Sequence, residues 1–216
     1  MKTKLIFTLA LFASFSIYAQ APMGFFLTLG GVNTSLKSND LVTSPGIGLK
    51  YGISWSFGYH QTFNYQADFT QASTRLTMPS VDDLGNSAQT KEKNSEFEAN
   101  FVVNYFIVKP EEDKLYLGLT GGVFGAYNSG TWSPVTSDAN SYGFSNYSAM
   151  NYGPVLGILA GYNKFKLGVR YNLGMANMLS DVKNGSYNEY NIYTGPTYSG
   201  KQSEISFLLY YRIFGK

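Results

Sequence analysis

The sequence predicts an all-β fold, an eight-stranded antiparallel up-and-down barrel, from three observations. Apolar and polar residues alternate with a period of two over eight stretches, which is the main signal for strands. The connections between these stretches are alternately short and long. Charged residues make up 14% of the 216 residues and aromatic residues 17%, whereas an ordinary soluble domain has about 25% charged residues. So little charge with so much Tyr, Phe and Gly indicates β-structure in an unusual solvent.

The first 19 residues are expected to be a secretory signal peptide, and residues 20–216 to be one barrel domain. Lys2 and Lys4 open an apolar stretch, and Ile17-Tyr18-Ala19 precedes an expected cut before Gln20. The alternative, a membrane-spanning anchor, needs about 20 apolar residues, and this run is shorter. Cleavage takes two of the 16 basic residues and leaves 14 basic against 14 acidic, so nothing favours a nucleic-acid partner. The chain has no cysteine, which excludes disulfides and thiol chemistry.

Four strands are expected in the first half of the chain. The first covers 24–36 and reads GFFLTLGGVNTSL. The second, 45–57, reads PGIGLKYGISWSF, in which Ile, Leu, Tyr, Trp and Phe alternate with Gly, Lys and Ser. The third, 60–76, sets Phe, Tyr and Ala against Asn, Gln, Asp and Thr. The fourth, 95–108, reads SEFEANFVVNYFIV and sets its apolar residues against Glu and Asn.

Four more strands are expected in the second half. The fifth covers 114–128 and reads KLYLGLTGGVFGAYN, and the sixth covers 151–162. The seventh, 165–179, begins FKLGVRYNL, where every other residue is apolar. The eighth, 203–214, reads SEISFLLYYRIF. Each alternating stretch is as long as the roughly 9–11 residues that a tilted membrane strand requires.

The connections alternate in length. The short ones carry Gly, Pro, Asn or Asp, as hairpin turns do, and lie at 57–59, 109–113 and 163–164. The longer, polar ones lie at 37–44, 77–94, 129–149 and 180–202. An even strand number with short turns at one end and long loops at the other is typical of an outer-membrane barrel, with short periplasmic turns and long extracellular loops.

The two faces of the strands indicate which side meets which solvent. The apolar parity is nearly unbroken and rich in aromatic residues, and the other parity is rich in glycine. These glycines are Gly30, Gly48, Gly52, Gly118, Gly122, Gly168 and Gly174. Small residues suit an inward polar face, because an eight-stranded barrel has an interior that side chains just fill. A secreted soluble sandwich is the alternative, and it would bury the apolar parity instead.

Charged residues on the polar parity are expected to form an interior network. The residues are Lys50, Lys166, Arg170 and Arg212 against Asp68, Glu96, Glu98 and Glu204. A buried charge must be paired and hydrogen-bonded, so four charges of each sign match what a closed interior requires. The alternative is that these are solvated surface charges whose balance is accidental.

Aromatic residues are expected to form a periplasmic girdle near the short turns. They are Trp55, Phe57, Phe63, Tyr105, Tyr162, Phe165 and Tyr211. Tyr and Trp concentrate at membrane interfaces because one end of the ring system is apolar and the other polar. Ordinary β-propensity, which also enriches these residue types, is the alternative explanation.

The order of these elements resembles the small outer-membrane β-barrel proteins of gram-negative bacteria, in the porin-like, PorT-like group with an OmpA/OmpX-type barrel. The resemblance rests on an opening strand at 24–31, PGIGLKYGISW, SEFEANFVVNYFIV before a Pro turn, LGVRYNLG and a closing YYRIF. It implies an outer-membrane barrel with its N-terminus in the periplasm, and many such proteins have no assigned activity. One departure is that barrels of this kind usually end on an aromatic residue. Here Gly215 and Lys216 follow Phe214, which is also one residue off the apolar parity.

The sequence contains few of the residue patterns that enzymatic catalysis requires. A Ser, His and carboxylate mechanism needs a histidine near the long loops, and the single histidine, His60, is expected at a short turn. No HExxH, GxSxG or phosphate-binding glycine loop occurs. Glu96 and Glu98 would project into the lumen, where ion pairing is favoured over acid–base work. We therefore expect no catalysis, no cofactor and no metal.

The expected role is structural, surface contact or a weak pore, in a monomer whose surroundings are outer-membrane lipid. The loops 129–149 and 180–202 are rich in Tyr, Asn, Ser, Gly and Thr and suit either adaptable recognition of a surface ligand or secretion-complex partner, or mere solvation. A general diffusion porin is disfavoured, because it needs about 16 strands. Alternatives are a lipid-modifying outer-membrane enzyme and an accessory component of a secretion or assembly complex.

Overall fold

A computed structural model describes residues 23–38, 43–58, 62–81, 87–111, 114–129, 131–132, 145–146, 150–178 and 199–215. The expected signal peptide and His60 lie outside these described residues. The strands are β1 (Met23–Ser38), β2 (Gly46–Phe57), β3 (Phe63–Val81), β4 (Ser87–Val108), β5 (Leu115–Asn128), β6 (Thr131–Trp132), β7 (Ser145–Asn146), β8 (Met150–Tyr162), β9 (Phe165–Leu173) and β10 (Gly200–Phe214).

Eight of these strands form a closed antiparallel barrel, which confirms the expected fold. The order around the barrel is β1-β10-β9-β8-β5-β4-β3-β2, and pairing of β1 with both β2 and β10 closes it. The short β6 and β7 pair with each other in a separate two-stranded ladder. None of the described residues forms a helix that is long and apolar enough to cross a membrane.

Two strand boundaries differ from the sequence expectation. The segment 77–94 was expected to be a loop, yet β3 and β4 stay paired as far as Val81 and Ser87. Backbone hydrogen bonds of an antiparallel ladder do not depend on side-chain hydrophobicity, so a polar stretch extends the hairpin without an alternating pattern. The seventh expected strand was extended to 179, but β9 ends at Leu173. Beyond it Met175 N donates to Tyr152 O and Met178 N to Gly200 O, so the chain leaves its ladder there.

The short turns lie at one end of the barrel, called here the short-turn end, and the opposite end is the long-loop end. The tightest turn is Asn163–Lys164 between β8 and β9, where Asn163 has a φ of 52°. Asn tolerates this left-handed backbone because its short polar side chain bonds locally. Gly58 has a φ of 75° just after β2, where glycine has no steric penalty.

A β-bulge at the barrel closure accounts for the off-parity position of Phe214. Phe26 pairs with Arg212 and Phe25 with Phe214, so the ladder skips Ile213. The extra residue returns Phe214 to the outer face, where its side chain is 70% exposed. The aromatic residue therefore rejoins the outer apolar row despite the break in alternation.

The apolar parity faces outward and the polar parity lines the lumen. Phe101 is 57% and Leu209 40% exposed, while Glu98 and Arg170 are each 4% exposed. This is the reverse of a soluble sandwich, whose apolar faces pack against each other. The polar side chains of the lumen define the candidate site.

Candidate functional site

An ion pair joins opposite walls of the lumen. Arg170 Nη1 of β9 donates to Asp68 Oδ2 of β3, and these strands are diametrically opposite in the eight-stranded order. The second carboxylate oxygen of Asp68 accepts a 2.7 Å hydrogen bond from Gln66 Nε2. Both charged side chains are almost completely buried. The pair thus fixes the separation of two walls that no backbone hydrogen bond connects.

Lys166 lies beside this pair without a carboxylate partner of its own. Its Nζ donates to Gln66 Oε1 at 2.5 Å. The ammonium lies 4.4 Å from the ring centroid of Phe26 and 4.5 Å from that of Tyr210. Aromatic faces attract a desolvated cation through the ring quadrupole. Gln66 therefore links Lys166 to Asp68, and the rings replace the second anion that an ion-pair network would require.

A second charged cluster lies nearer the long-loop end. Lys50 Nζ is 2.7 Å from Glu98 Oε1 and also donates to Glu204 Oε1, so one lysine bridges β2, β4 and β10. Glu98 accepts further hydrogen bonds from Asn100 and, at 2.9 Å, from Asn172 Nδ2. One ammonium group and two amide groups thus satisfy both oxygens of this buried carboxylate.

The remaining two predicted network residues are placed differently. Glu96 is buried, and it accepts a 2.8 Å hydrogen bond from Gln202 Nε2 rather than from a cation. Arg212 is half-buried where β10 runs out to the short-turn end, and its backbone N–H donates to Lys164 O. Among the side chains that the structure describes, the buried charges are therefore three cations and four carboxylates. The expected balance of four against four is wrong for the lumen, because Arg212 is too close to the rim.

Apolar side chains close the lumen at levels that sequence reasoning missed. Phe26, Leu208 and Tyr210 form one buried cluster, with the Phe26 and Tyr210 ring centroids 6.5 Å apart. A second buried cluster consists of Phe106, Tyr116 and Leu159. A third consists of Val102, Phe124, Ala126 and Val155. Adjacent aromatic residues such as Phe25-Phe26 and Tyr210-Tyr211 are the sequence signal for the first, since one ring of each pair must point inward.

The residues of the predicted aromatic girdle lie around the outer face of the short-turn end. Six are exposed to between 41% and 52%, and Phe57 is half-buried against Trp55 at a ring separation of 5.0 Å. Phe63 contacts Tyr105 at 5.3 Å and Phe165 contacts Tyr211 at 5.2 Å, as ring centroids. Two of these ring contacts thus join neighbouring strands, β3 with β4 and β9 with β10, and the third lies within β2.

A second group of outward tyrosines, called here the second tyrosine ring, was not predicted. Tyr51, Tyr127, Tyr152 and Tyr171 are 48%, 52%, 57% and 37% exposed on the outer face. The hydroxyl of Tyr51 donates to Gln71 Oε1 at 2.8 Å. Tyr127, Tyr152 and Tyr171 lie on the apolar parity within two residues of the long-loop end of their strands, which was the available signal, and Tyr51 lies in the middle of β2. An apolar band between two aromatic belts matches the outer surface of membrane barrels.

The short turn after β4 carries an exposed ion pair. Lys114 Nζ lies 2.6 Å from Glu111 Oε2. This hydrogen bond and the charge of Lys114 lower the pKa of Glu111, and the same contact raises the pKa of Lys114. Both side chains are solvent-exposed, so the pair organises the turn rather than a reaction centre. Among the described residues, no three His, Asp or Glu side chains are arranged to hold a metal ion.

Comparisons with known proteins place no family name on the chain. No family model matches it, and no curated protein matches it either. Among solved structures it is similar to Ail, the attachment invasion locus protein of Yersinia pestis, with 9% identity, a TM-score of 0.44 and coverage of 90% of this chain and 100% of that one. It is similar to the outer membrane protein OprG from Pseudomonas aeruginosa, with 10% identity, a TM-score of 0.44 and coverage of 90% and 95%. It is also similar to the outer membrane enzyme PagL, with 14% identity, a TM-score of 0.39 and coverage of 85% and 97%. The likeness is one of fold alone and assigns no ligand, substrate or partner to this chain.

Proposed function

We propose that this chain is a monomeric, integral outer-membrane barrel that presents its long-loop end at the cell surface and has no catalytic activity. The observation that carries the proposal is the inverted burial of the strands. Leu167 and Phe207 are 61% and 59% exposed, whereas Lys50 and Asp68 are each 1% exposed. Monomeric soluble proteins rarely expose apolar patches beyond about 300–600 Å². In lipid this apolar surface would contact acyl chains, and closure of the barrel leaves no strand edge with unpaired backbone groups.

The filled lumen supports a structural or surface-contact role over diffusion. The ion pair between Asp68 and Arg170 and the aromatic clusters occupy the cross-section at successive levels. An eight-stranded barrel leaves no aqueous channel once its inward side chains are in place. In a planar bilayer the purified protein should therefore show no steady conductance. A steady ohmic conductance in single-channel recordings would contradict this part of the proposal.

The absence of catalysis is proposed from the shortage of bases. The chain has one histidine, His60, which lies outside the described residues and which the sequence predicts at a short turn on the periplasmic side. A Ser hydroxyl needs a nearby base to act as a nucleophile. His60→Ala should leave the composition of outer-membrane lipids unchanged in cells that express the protein. A lipid product that appears with the wild-type chain and disappears with His60→Ala would favour a lipid-modifying enzyme.

Membrane integration is tested by extraction and by electrophoresis. The mature protein should resist carbonate and high salt, dissolve in detergent, and migrate differently when the sample is heated before electrophoresis. The heat shift reports a closed barrel that withstands the cold sample buffer. Release by carbonate without detergent would contradict the proposal.

Orientation is tested with a matched pair of epitope insertions. An epitope within 180–202 should be reached by antibody on intact cells, because these residues belong to a proposed surface loop. The same epitope within 109–113, at a short turn, should be reached only after the outer membrane is permeabilised. The reverse pattern would show that the long loops face the periplasm.

A further inference from the structure

Two lysines lie directly opposite each other on the outer face of the barrel. Lys37 of β1 and Lys201 of β10 are Cα partners in the ladder that closes the barrel, and both are exposed. Side chains at directly opposed positions project from the same face with Cβ atoms about 4.5–5.5 Å apart, and like charges there are destabilising. Neither lysine forms an ion pair with a described residue. The pair therefore concentrates positive charge that the described part of the chain leaves unneutralised.

A groove of about 410 Å³ runs beside this pair, between the ends of β9 and β10. Its upper part is lined by the two lysines with Ser199 and Asn177, and its lower part by Tyr171 and Leu173. Tyr171 and Leu173 are 37% and 44% exposed on the outer face. The groove is thus amphipathic, with a cationic rim and an apolar floor.

The lysine pair lies beyond the apolar band, on its long-loop side. Tyr171, a member of the second tyrosine ring, pairs with Ile205 of β10, and Lys201 is four residues further along that strand. Four residues span about 13 Å along a strand at ~3.3 Å per residue. The ammonium groups therefore stand where a lipid headgroup would lie, and the groove floor stands where acyl chains begin.

The described side chains at this level carry only positive charge on the outer face. Among the side chains that the structure describes, the exposed charges on the outer face of the long-loop end are Lys37, Arg75 and Lys201. The carboxylates of the same region, Glu96, Glu98 and Glu204, are buried in the lumen. The described part of the outer rim therefore attracts anions.

We propose that Lys37 and Lys201 bind the phosphate of an outer-leaflet lipid, whose acyl chain lies along Tyr171 and Leu173. A phosphate placed between two ammonium groups accepts charge-assisted hydrogen bonds from both and removes their repulsion. A free phosphate ion would use the cationic rim alone, whereas a phosphorylated lipid uses the rim and the apolar floor together. This amphipathic match favours the lipid as the occupant.

The test uses the full mature chain folded in detergent, with lipid binding measured by native mass spectrometry. The probes are diphosphorylated lipid A and its dephosphorylated form. Wild type should bind the phosphorylated lipid, and the double variant Lys37→Gln/Lys201→Gln should lose at least about tenfold in affinity, as expected for lost hydrogen bonds to a charged group. Lys164→Gln, which removes an exposed lysine at the short-turn end, is the matched control and should bind like wild type.

Three outcomes would overturn the inference. They are equal affinity of wild type and the double variant, equal affinity for the dephosphorylated lipid, and complete displacement of the lipid by millimolar inorganic phosphate, which would make this a site for the free ion. The inference rests on the proposed membrane location, and the two failures are distinguishable. Loss of the heat-dependent gel shift in all variants would refute the membrane barrel, whereas an intact shift with no difference between variants would refute the lipid site alone.

Discussion

Arg170 and Asp68 form an ion pair across the full width of the barrel, from β9 to the diametrically opposite β3. Backbone hydrogen bonds hold each wall together, but only side chains connect opposite walls. This ion pair thus connects opposite walls inside a barrel whose outer surface is apolar. It gives the lumen a structural task that a solvated surface pair would not have.

Removing either partner of the Arg170–Asp68 ion pair should strongly destabilise the barrel. Asp68→Asn or Arg170→Met leaves one buried charge without its partner, which costs about 3–5 kcal/mol in the free energy of unfolding. The double variant Asp68→Leu/Arg170→Met should recover most of this loss, since no buried charge is left unpaired. Reversible unfolding by guanidinium in detergent micelles measures all four proteins.

An exposed pair supplies the control for that experiment. Glu111→Gln removes the anion of the turn pair with Lys114, whose side chains are 57% and 68% exposed. It should leave the unfolding midpoint unchanged within error. A loss as large as that of Asp68→Asn would show that the lumen pair has no special role.

Substitution of two adjacent glycines of β5 by alanine should have unequal effects on the free energy of unfolding. A Cβ at Gly122 would lie 2.2 Å from Phe101 O and 2.7 Å from Val102 Cα, while a Cβ at Gly121 would meet no atom within 4 Å. Gly122→Ala should therefore cost about 1–3 kcal/mol through backbone displacement. Gly121→Ala should fall within about 0.5 kcal/mol of wild type. Equal effects in the same unfolding assay would mean that the strands are not packed as closely as the structure has them.

A charge on the outer apolar band should be costly in proportion to its depth. Val169, on β9 between the two aromatic belts, is exposed in the isolated barrel. In lipid, Val169→Arg should cost about 2–4 kcal/mol, because the guanidinium would lie near the bilayer midplane. Ile47→Arg, at the long-loop end of β2, should cost about 0–1 kcal/mol. Folding from urea into vesicles measures both, and a neutral effect of Val169→Arg would place that face in water.

The tryptophan of the short-turn girdle should sit at a membrane interface. The chain has two tryptophans, so Trp132→Phe leaves Trp55 as the only indole. Trp55 is 45% exposed on the outer face. Its fluorescence in vesicles should be quenched more by bromine near the lipid headgroup than by bromine near the acyl chain end. Quenching by aqueous iodide alone would contradict the girdle.

The fold could be predicted from the sequence because each barrel strand contains a stretch in which apolar and polar residues alternate. In β9 the alternation from Phe165 to Leu173 corresponds residue by residue to exposed and buried side chains. The extension of β3 and β4 beyond 77 could not be predicted, since that hairpin follows backbone pairing rather than a hydrophobic pattern.

The side-chain contacts inside the lumen could not be predicted from the sequence either. Which residues meet across a barrel depends on strand tilt and stagger, so the pattern marks Asp68 and Arg170 as inward without pairing them. The same geometry brings the rings of Phe26 and Tyr210 beside Lys166, which the pattern also could not show. Whether a side chain points inward follows from its position in its own strand. Which side chain it contacts across the lumen depends on the geometry of the whole barrel.

The outward direction of the apolar residues is the central claim, and the cysteine-free chain permits a direct measurement of it. Single cysteines at Ser206, Phe207 and Leu209 of β10 can each carry a spin label in a lipid vesicle. Ser206 is 1% exposed, while Phe207 and Leu209 are 59% and 40% exposed. The account predicts that labels at Phe207 and Leu209 collide with dissolved oxygen and are shielded from a water-soluble nickel complex, and that the label at Ser206 is shielded from both. Access of the nickel complex to Phe207 and Leu209, with oxygen contact no higher than at Ser206, would contradict it.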